Sequence, residues 1–214
     1  MKNIIILLLL LSTLSSYTFK YQKWGIDISH HQGNIKWSEF NKLHLKPSFL
    51  FLKATEGVAF KDNKYKEYKN KAEKLNIPVG AYHFFKYSAS GKEQASEFLK
   101  FSNLHKGNLI PVLDAEYQKG MPNNKKVTKE LLSFIRQIKK VTGKYPIIYC
   151  EEGFYKKYLK TTEASKCPLW ICNFHYQPFC NYTIWQKTDK YKHPAFKGTV
   201  DYNVLNRKTP LSFI

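Results

Sequence analysis

Eight short strand-like runs constrain this sequence more than any other feature. They are WGIDIS (24–29), SFLFLKAT (48–55), PVGAYHFF (78–85), LIPVLDAE (109–116), YPIIYC (145–150), PLWICNF (168–174), TIWQKT (183–188) and TVDYNVL (199–205). Most are rich in Ile, Val and aromatic residues and begin after Pro, Gly or a polar cluster, as strands do. Several are nearly continuous apolar runs, the pattern of parallel strands buried on both faces. Helical spacing separates some of them, at 36–44, 62–75, 91–104, 126–142 and 152–160. In the fourth of these, Val127, Leu131, Leu132, Phe134, Ile135, Ile138 and Val141 form one apolar stripe, which suits a helix packed on a sheet. Strands alternating with helices predict an α/β fold. Eight strands with about five helices predict a (β/α) barrel that lacks helices toward its C-terminal half.

The chain has 214 residues and 43% apolar content, enough for one sizeable core. No linker, repeat or low-complexity stretch divides it. The first sixteen residues, MKNIIILLLLLSTLSS, place Lys2 before an apolar run from Ile4 to Leu11. That run is too short to span a bilayer and suits the core of a signal peptide, cleaved near Ser15 or Ser16. Residues 1–16 are therefore read as a signal peptide and 17–214 as one secreted domain, extracellular or periplasmic. No second long apolar run follows, so no integral membrane segment is expected in the mature chain, and a monomer is expected.

The formal net charge is +19, from lysines scattered through stretches such as KDNKYKEYKNKAEKLN and KKVTKELLSFIRQIKK. Such a pattern is either a solvated basic face or the footprint of a polyanionic partner. Export argues against nucleic acid and leaves an anionic surface or an acidic cell-wall polymer. All four cysteines, Cys150, Cys167, Cys172 and Cys180, lie in the last third. An even number in an exported chain predicts disulfides. Three pairings are open, with Cys167–Cys180 favoured because it brackets one strand. No C-x-x-C occurs, and the spacings match no common structural zinc site. Asn181 heads an N-Y-T glycosylation sequon.

Acids stand at or near the C-terminal ends of these runs: Asp27 in GIDIS, Asp114 and Glu116 in VLDAE, and Asp201 in TVDYN. That end of a (β/α) barrel carries catalytic residues. Any one acid could instead cap a following helix, but all four lie in strand-like surroundings. Residues two apart on a strand share a face, about 6–7 Å apart at the backbone, so Asp114 and Glu116 converge on one cavity. Two close carboxylates resist ionising together, which raises one pKa. A proton donor beside an anion is the equipment for cleaving a glycosidic bond. A site of hard oxygen ligands for a metal is the alternative, but no His clusters with the acids. No metal or cofactor is expected. Tyr82, Phe84, Tyr149, Trp170 and Trp185 fall near the same end, and aromatic faces pack well on sugars. Phe84 reads equally well as barrel core, whereas Tyr82 and Trp185 have the polar neighbours His83 and Gln186.

In order along the chain, GIDISHHQGNIKW, FLKATEG, PVGAYHFF, PVLDAE, PIIYC, LWICNF, IWQKT and VDYNVL resemble the signature segments of glycoside hydrolase family 25 lysozymes, the Chalaropsis-type N-acetylmuramidases. The resemblance runs from about residue 24 to 206. It implies a flattened, irregular barrel, and hydrolysis of the β-1,4 bond from N-acetylmuramic acid to N-acetylglucosamine in peptidoglycan glycan strands. It places the family's acid on Glu116, its partner aspartate on Asp114, and two further acids on Asp27 and Asp201. Sugar-site aromatics fall on Tyr82, Tyr149, Trp170 and Trp185, with Gln186 beside the last. It also favours attack by the substrate's own acetamido oxygen, with Asp114 orienting that group, over direct attack by Asp114. Two positions depart from the pattern: Lys187 stands where an aromatic is frequent, and Cys172 where Ala is frequent. The rival readings are a wall-binding module without turnover, disfavoured because neutral sugar recognition needs no buried like charges, and a chitinase-like hydrolase using the same D-x-E logic.

Overall fold

All eight strand-like runs form strands in the computed structural model, which describes residues 22–214; the expected signal peptide lies outside the described residues. They are β1 (Trp24–Ile28), β2 (Phe49–Glu56), β4 (Val79–Phe84), β5 (Val112–Asp114), β6 (Ile147–Glu151), β7 (Leu169–Cys172), β8 (Ile184–Lys192) and β9 (Thr199–Leu205), with a two-residue β3 (Phe60–Lys61) folded back on β2. The order β1-β9-β8-β7-β6-β5-β4-β2 closes into an eight-stranded barrel because β1 also pairs with β2. Six strands, from β2 round to β8, run parallel to their neighbours, and β1 is parallel to β2. Only β9 is reversed, antiparallel to both β8 and β1.

Strand alternation sorts the apolar residues into two cores. Phe49, Phe51, Val112, Ile147, Trp170 and Ile184 fill the barrel, while Leu50, Leu52, Ala54, Ala81, Leu113 and Ile148 face the helices outside. Two inward glycines make room for the largest rings. A Cβ on Gly25 would lie 2.2 Å from the Phe49 ring, and one on Gly80 would lie 2.2 Å from that of Phe51. In the barrel these pairs are direct neighbours, Gly25 opposite Phe49 and Gly80 opposite Phe51.

Four helices cover the outside: α1 (Tyr65–Lys74), α2 (Gly91–Ser102), α3 (Asn124–Thr142) and α4 (Glu152–Tyr158). Of the stripe in 126–142, Val127, Leu131, Phe134, Ile135 and Ile138 form the buried face of α3, Leu132 is partly buried and Val141 is exposed in the last turn. The helix starts on an Asn123 cap to the Lys126 amide and stops at Gly143, whose φ of 73° suits glycine. The segment expected as a helix at 36–44 forms two 3-10 turns instead, Trp37–Asn41 and Leu43–Leu45. Trp37 and Phe40 pack together three residues apart, the spacing that a 3-10 turn aligns, and Pro47 forbids continuation. Below the barrel, the chain after β9 crosses the entrance to β5: the Ile110 amide donates to the Ser212 carbonyl and the Ile214 amide to the Asn108 carbonyl. All four cysteines are free thiols, so the expected Cys167–Cys180 bridge is not formed. No helix among the described residues is long and apolar enough to cross a membrane.

Candidate active site

Asp27 and Asp114 stand at the C-terminal ends of β1 and β5, on one rim of the barrel. Asp201 corrects the sequence expectation in an informative way. It is the third residue of β9, near that strand's start, yet reversal of β9 brings it to the same rim, directly opposite Asp27. Glu116 lies two residues beyond Asp114, where β5 has ended. Ala115 points away and is fully buried among the outer apolar residues. All four acids line a cavity of about 290 Å³, together with Tyr82, Tyr149, Trp170 and Gln186.

The side chains below the acids form one connected hydrogen-bond network. The Trp170 indole Nε1 donates to Asn203 Oδ1 at 2.8 Å, and Asn203 Nδ2 donates to Asp27 Oδ1 at 2.6 Å. From the other side, the Tyr149 hydroxyl donates to Gln186 Oε1 at 2.8 Å, and Gln186 Nε2 reaches Asp27 Oδ1 at 3.4 Å. Asp27 is thus held by two amides and faces Asp201. Asp114 differs. Its Oδ1 is buried and has no hydrogen-bond partner among the described residues, an expensive state for a carboxylate oxygen.

Burial sets the electrostatics. It raises Asp27 to about 6, against hydrogen bonds from Asn203 and Gln186 that favour the charged form. Asp201 is pushed up to about 8, by burial first and by the Asp27 charge second. Burial and then the charge of Glu116 hold Asp114 well above the usual carboxylate range. Glu116 is raised by burial, then by Glu151 and Asp27. Like charges in one dry site cannot all ionise, so the cluster retains protons near neutral pH.

The Asp201 carboxyl carries a stability consequence. Its folded pKa lies above the ordinary value of 3.8, so the native state binds a proton that the unfolded chain has released. That contribution is present at acidic pH and is lost as pH rises through about 8. Asp201→Asn keeps a neutral donor beside Asp27 and removes the titration. The wild type should lose stability between pH 5 and 8 relative to this variant, by an amount on the order of a few kcal/mol after discounting for partial exposure. Thermal unfolding of both proteins at the two pH values measures it, and an identical pH response would exclude proton sharing by Asp201.

One expected residue, Trp185, faces away from the cavity. Trp185 precedes the inward Gln186 on β8, so alternation turns it outward; its Nε1 donates to the Asn173 carbonyl at 2.7 Å, and Lys187 Nζ stands 4.9 Å over its ring. His83, beside Tyr82, also points outward and is buried between Thr55 Oγ1 at 2.7 Å and Gln94 Oε1 at 3.1 Å. Burial lowers its pKa to about 4, so it is neutral. Sequence reasoning passed over Lys53, Asn203 and Phe174. Lys53 and Phe174 line the cavity, as Phe84 does. Lys53 Nζ bonds Glu56 Oε2 at 2.7 Å and stands 5.0 Å over the Phe84 ring. Asn203 was findable, since it sits two residues from Asp201 on the same face.

Residues 26–196 match the family model for glycosyl hydrolases family 25. The chain belongs to this family. A family 25 glycosyl hydrolase from Bacillus anthracis superposes with a TM-score of 0.79 at 33% identity, covering 88% of this chain and 91% of that one. The bacterial lysozyme from Streptomyces coelicolor also gives a TM-score of 0.79, at 26% identity over 87% of this chain and 93% of its own. Lysozyme M1 of Streptomyces globisporus is 29% identical over 199 residues, 85% of this chain and 67% of that protein. This family 25 member is accordingly a glycoside hydrolase of the lysozyme type.

Proposed function

We propose that residues 17–214 form a secreted peptidoglycan hydrolase domain that cuts the β-1,4 bond from N-acetylmuramic acid to N-acetylglucosamine with retention at the anomeric carbon. Glu116 acts as general acid and then general base, and the substrate's 2-acetamido oxygen is the nucleophile. The observation that carries this reading is the unpartnered, buried Oδ1 of Asp114, two residues from Glu116 in the same cavity. An acetamido N–H is a donor of the right kind to satisfy it.

The proton balance supports these roles. Burial and mutual repulsion raise both Asp114 and Glu116, so one proton serves the pair. An N–H donated to Asp114 stabilises its charged form and leaves the proton on Glu116. Glu116 then protonates the glycosidic oxygen as the acetamido oxygen bonds to the anomeric carbon. The resulting oxazolinium cation lies beside the Asp114 anion. Next, the Glu116 carboxylate takes a proton from water, whose oxygen attacks the anomeric carbon and restores the acetamido group. Asp27 and Asp201, paired across β1 and β9, tune the protonation of the site through their charge. Tyr82 and Tyr149 offer ring faces to the sugars, while Trp170, buried in the barrel with its Nε1 on Asn203, and Gln186, bonded to Tyr149 and Asp27, form the floor beneath them. The lysines of α1 and α3 give the outside a basic surface suited to an anionic wall.

Mass analysis of a peptidoglycan digest tests the bond. Fragments ending in reducing N-acetylmuramic acid are expected. Fragments ending in reducing N-acetylglucosamine would place the cut on the other linkage. Cleavage of chitin with peptidoglycan left intact would favour the chitinase-like reading, and wall binding with no fragments released would favour a binding module.

A further inference from the structure

We propose that Glu151 is a positioning residue for the acid step, a second carboxylate beside Glu116 that keeps it protonated to higher pH. This rests on the reading of Glu116 as the acid. The placement follows from strand register. On β5 and β6, Asp114 lies opposite Tyr149, and the Ala115 amide continues the ladder by donating to the Tyr149 carbonyl at 2.9 Å. Glu116 is two residues beyond Asp114, and Glu151 is two beyond Tyr149. On β6, alternation puts Glu151, the last residue of the strand, on the face of Tyr149, and Glu116, just past the end of neighbouring β5, lines the cavity, so the two stand on adjacent strand ends at one rim.

Glu151 has no evident structural task. It occupies the N-cap position of α4, where Ser, Thr, Asp or Asn would cap the helix, yet its side chain makes no capping hydrogen bond. Among the described residues it makes no side-chain hydrogen bond or ion pair, and it is exposed. Its neighbour Glu152, by contrast, is buried, lies 3.0 Å from Lys156 Nζ as an ion pair, and accepts from the Phe179 amide at 3.4 Å.

Other groups around Glu116 cannot substitute for it. Asp114 shares its strand, Asp27 comes from β1, and Asp201 from β9 lines the same cavity. Asp114 is buried, Asp27 and Asp201 are half-buried, and of the three Asp27 adds to Glu116, after burial and Glu151. Lys53, from β2, is a cation and lowers Glu116, but it is tied to Glu56. From β6 and β7, Tyr149 and Cys172 are both raised by burial and stay neutral. Tyr87 donates its hydroxyl to the Glu116 backbone carbonyl at 3.0 Å, not to the carboxyl. Glu151 is the exposed carboxylate in the set, without a side-chain partner among the described residues, and its charge adds to burial in raising the Glu116 carboxyl.

The test is the pH profile of kcat/KM on a soluble peptidoglycan fragment. Its descending limb reports the acid in the free enzyme. Glu151→Gln should move that limb to lower pH by about half a unit, the size expected of one partly exposed like-charge pair. Above the limb this reads as about a threefold loss, with the acidic plateau unchanged within about twofold. Glu151→Asp should restore part of the shift. Added salt should lower the wild-type limb toward that of Glu151→Gln and leave the variant's limb nearly still, because an exposed charge is screened. An unmoved limb, a limb moved upward, or a lost plateau without a shift would each overturn the proposal. If Glu116 were not the acid, Glu116→Gln would remain active, so failure of that reading is seen separately.

Discussion

Glu116→Gln should lower hydrolysis of wall glycan by at least about a hundredfold while leaving a folded protein that still binds the glycan. The two side chains are nearly isosteric, but the amide has no proton to give to a leaving oxygen and no basicity to activate water. General acid–base groups contribute roughly 10²–10⁴-fold. Loss of a raised carboxyl from a crowded acidic cavity should also relieve repulsion on Asp114 and Asp27. The variant is therefore expected to melt at or above the wild-type temperature at pH 7. Turbidity clearing and pull-down on insoluble walls separate the two effects. More than about a tenth of wild-type activity in the variant would remove Glu116 from the acid role, since that is less than any acid–base contribution of the usual size.

Asp114→Asn is expected to be about as damaging for a different reason. The carboxylate faces a cation in the proposed intermediate, and replacing it by a neutral amide forfeits an electrostatic term usually worth on the order of 10²–10³ in rate. The acetamido route adds finer expectations. A thiazoline mimic of the oxazolinium ion should inhibit the wild type and bind Asp114→Asn poorly. No sugar adduct on Asp114 should be found by mass spectrometry, even with an activated fluorosugar. Early-time NMR should show retention, because acetamido attack and water attack each invert once. A trapped adduct on Asp114 would establish it as the nucleophile itself. An inverted product would exclude both double displacements and require a separate base, with Asp27 and Asp201 next in line.

Much of this arrangement was legible before any coordinates, and the residues show why. Asp114, Glu116, Tyr149 and Gln186 were readable because period-two alternation is local: once a strand is recognised, its inward face follows. The same rule could have turned Trp185 and His83 outward, since each adjoins an inward residue. The 36–44 segment was misjudged because Trp37 and Phe40 satisfy helical and 3-10 spacing alike, and only Pro47 decides between them. The position of Asp201 depends on the reversal of β9, which is set by pairing with β1 and β8 and not by anything within TVDYN. Lys53 looked like a strand residue in an apolar run; its function as the cavity's cation depends on Glu56 and Phe84, three and thirty-one residues away. The disulfide expectation was drawn from compartment alone, and compartment says nothing of whether two thiols are within bonding reach; all four cysteines are free.

Closure of the barrel through β9 has a kinetic corollary. The hydrogen bond from Asn203 to Asp27 joins residues 176 apart, and Asp201 meets Asp27 across the same seam. Contacts of such long range form after the loop entropy of nearly the whole chain has been overcome. β1 can pair with β2 early, but Asp27 lacks its Asn203 donor and its Asp201 neighbour until β9 docks. The acid-lined rim therefore assembles only after everything from β1 to β9 has been made. Partial chains, whether nascent or clipped before β9, would be catalytically silent without any dedicated inhibitor.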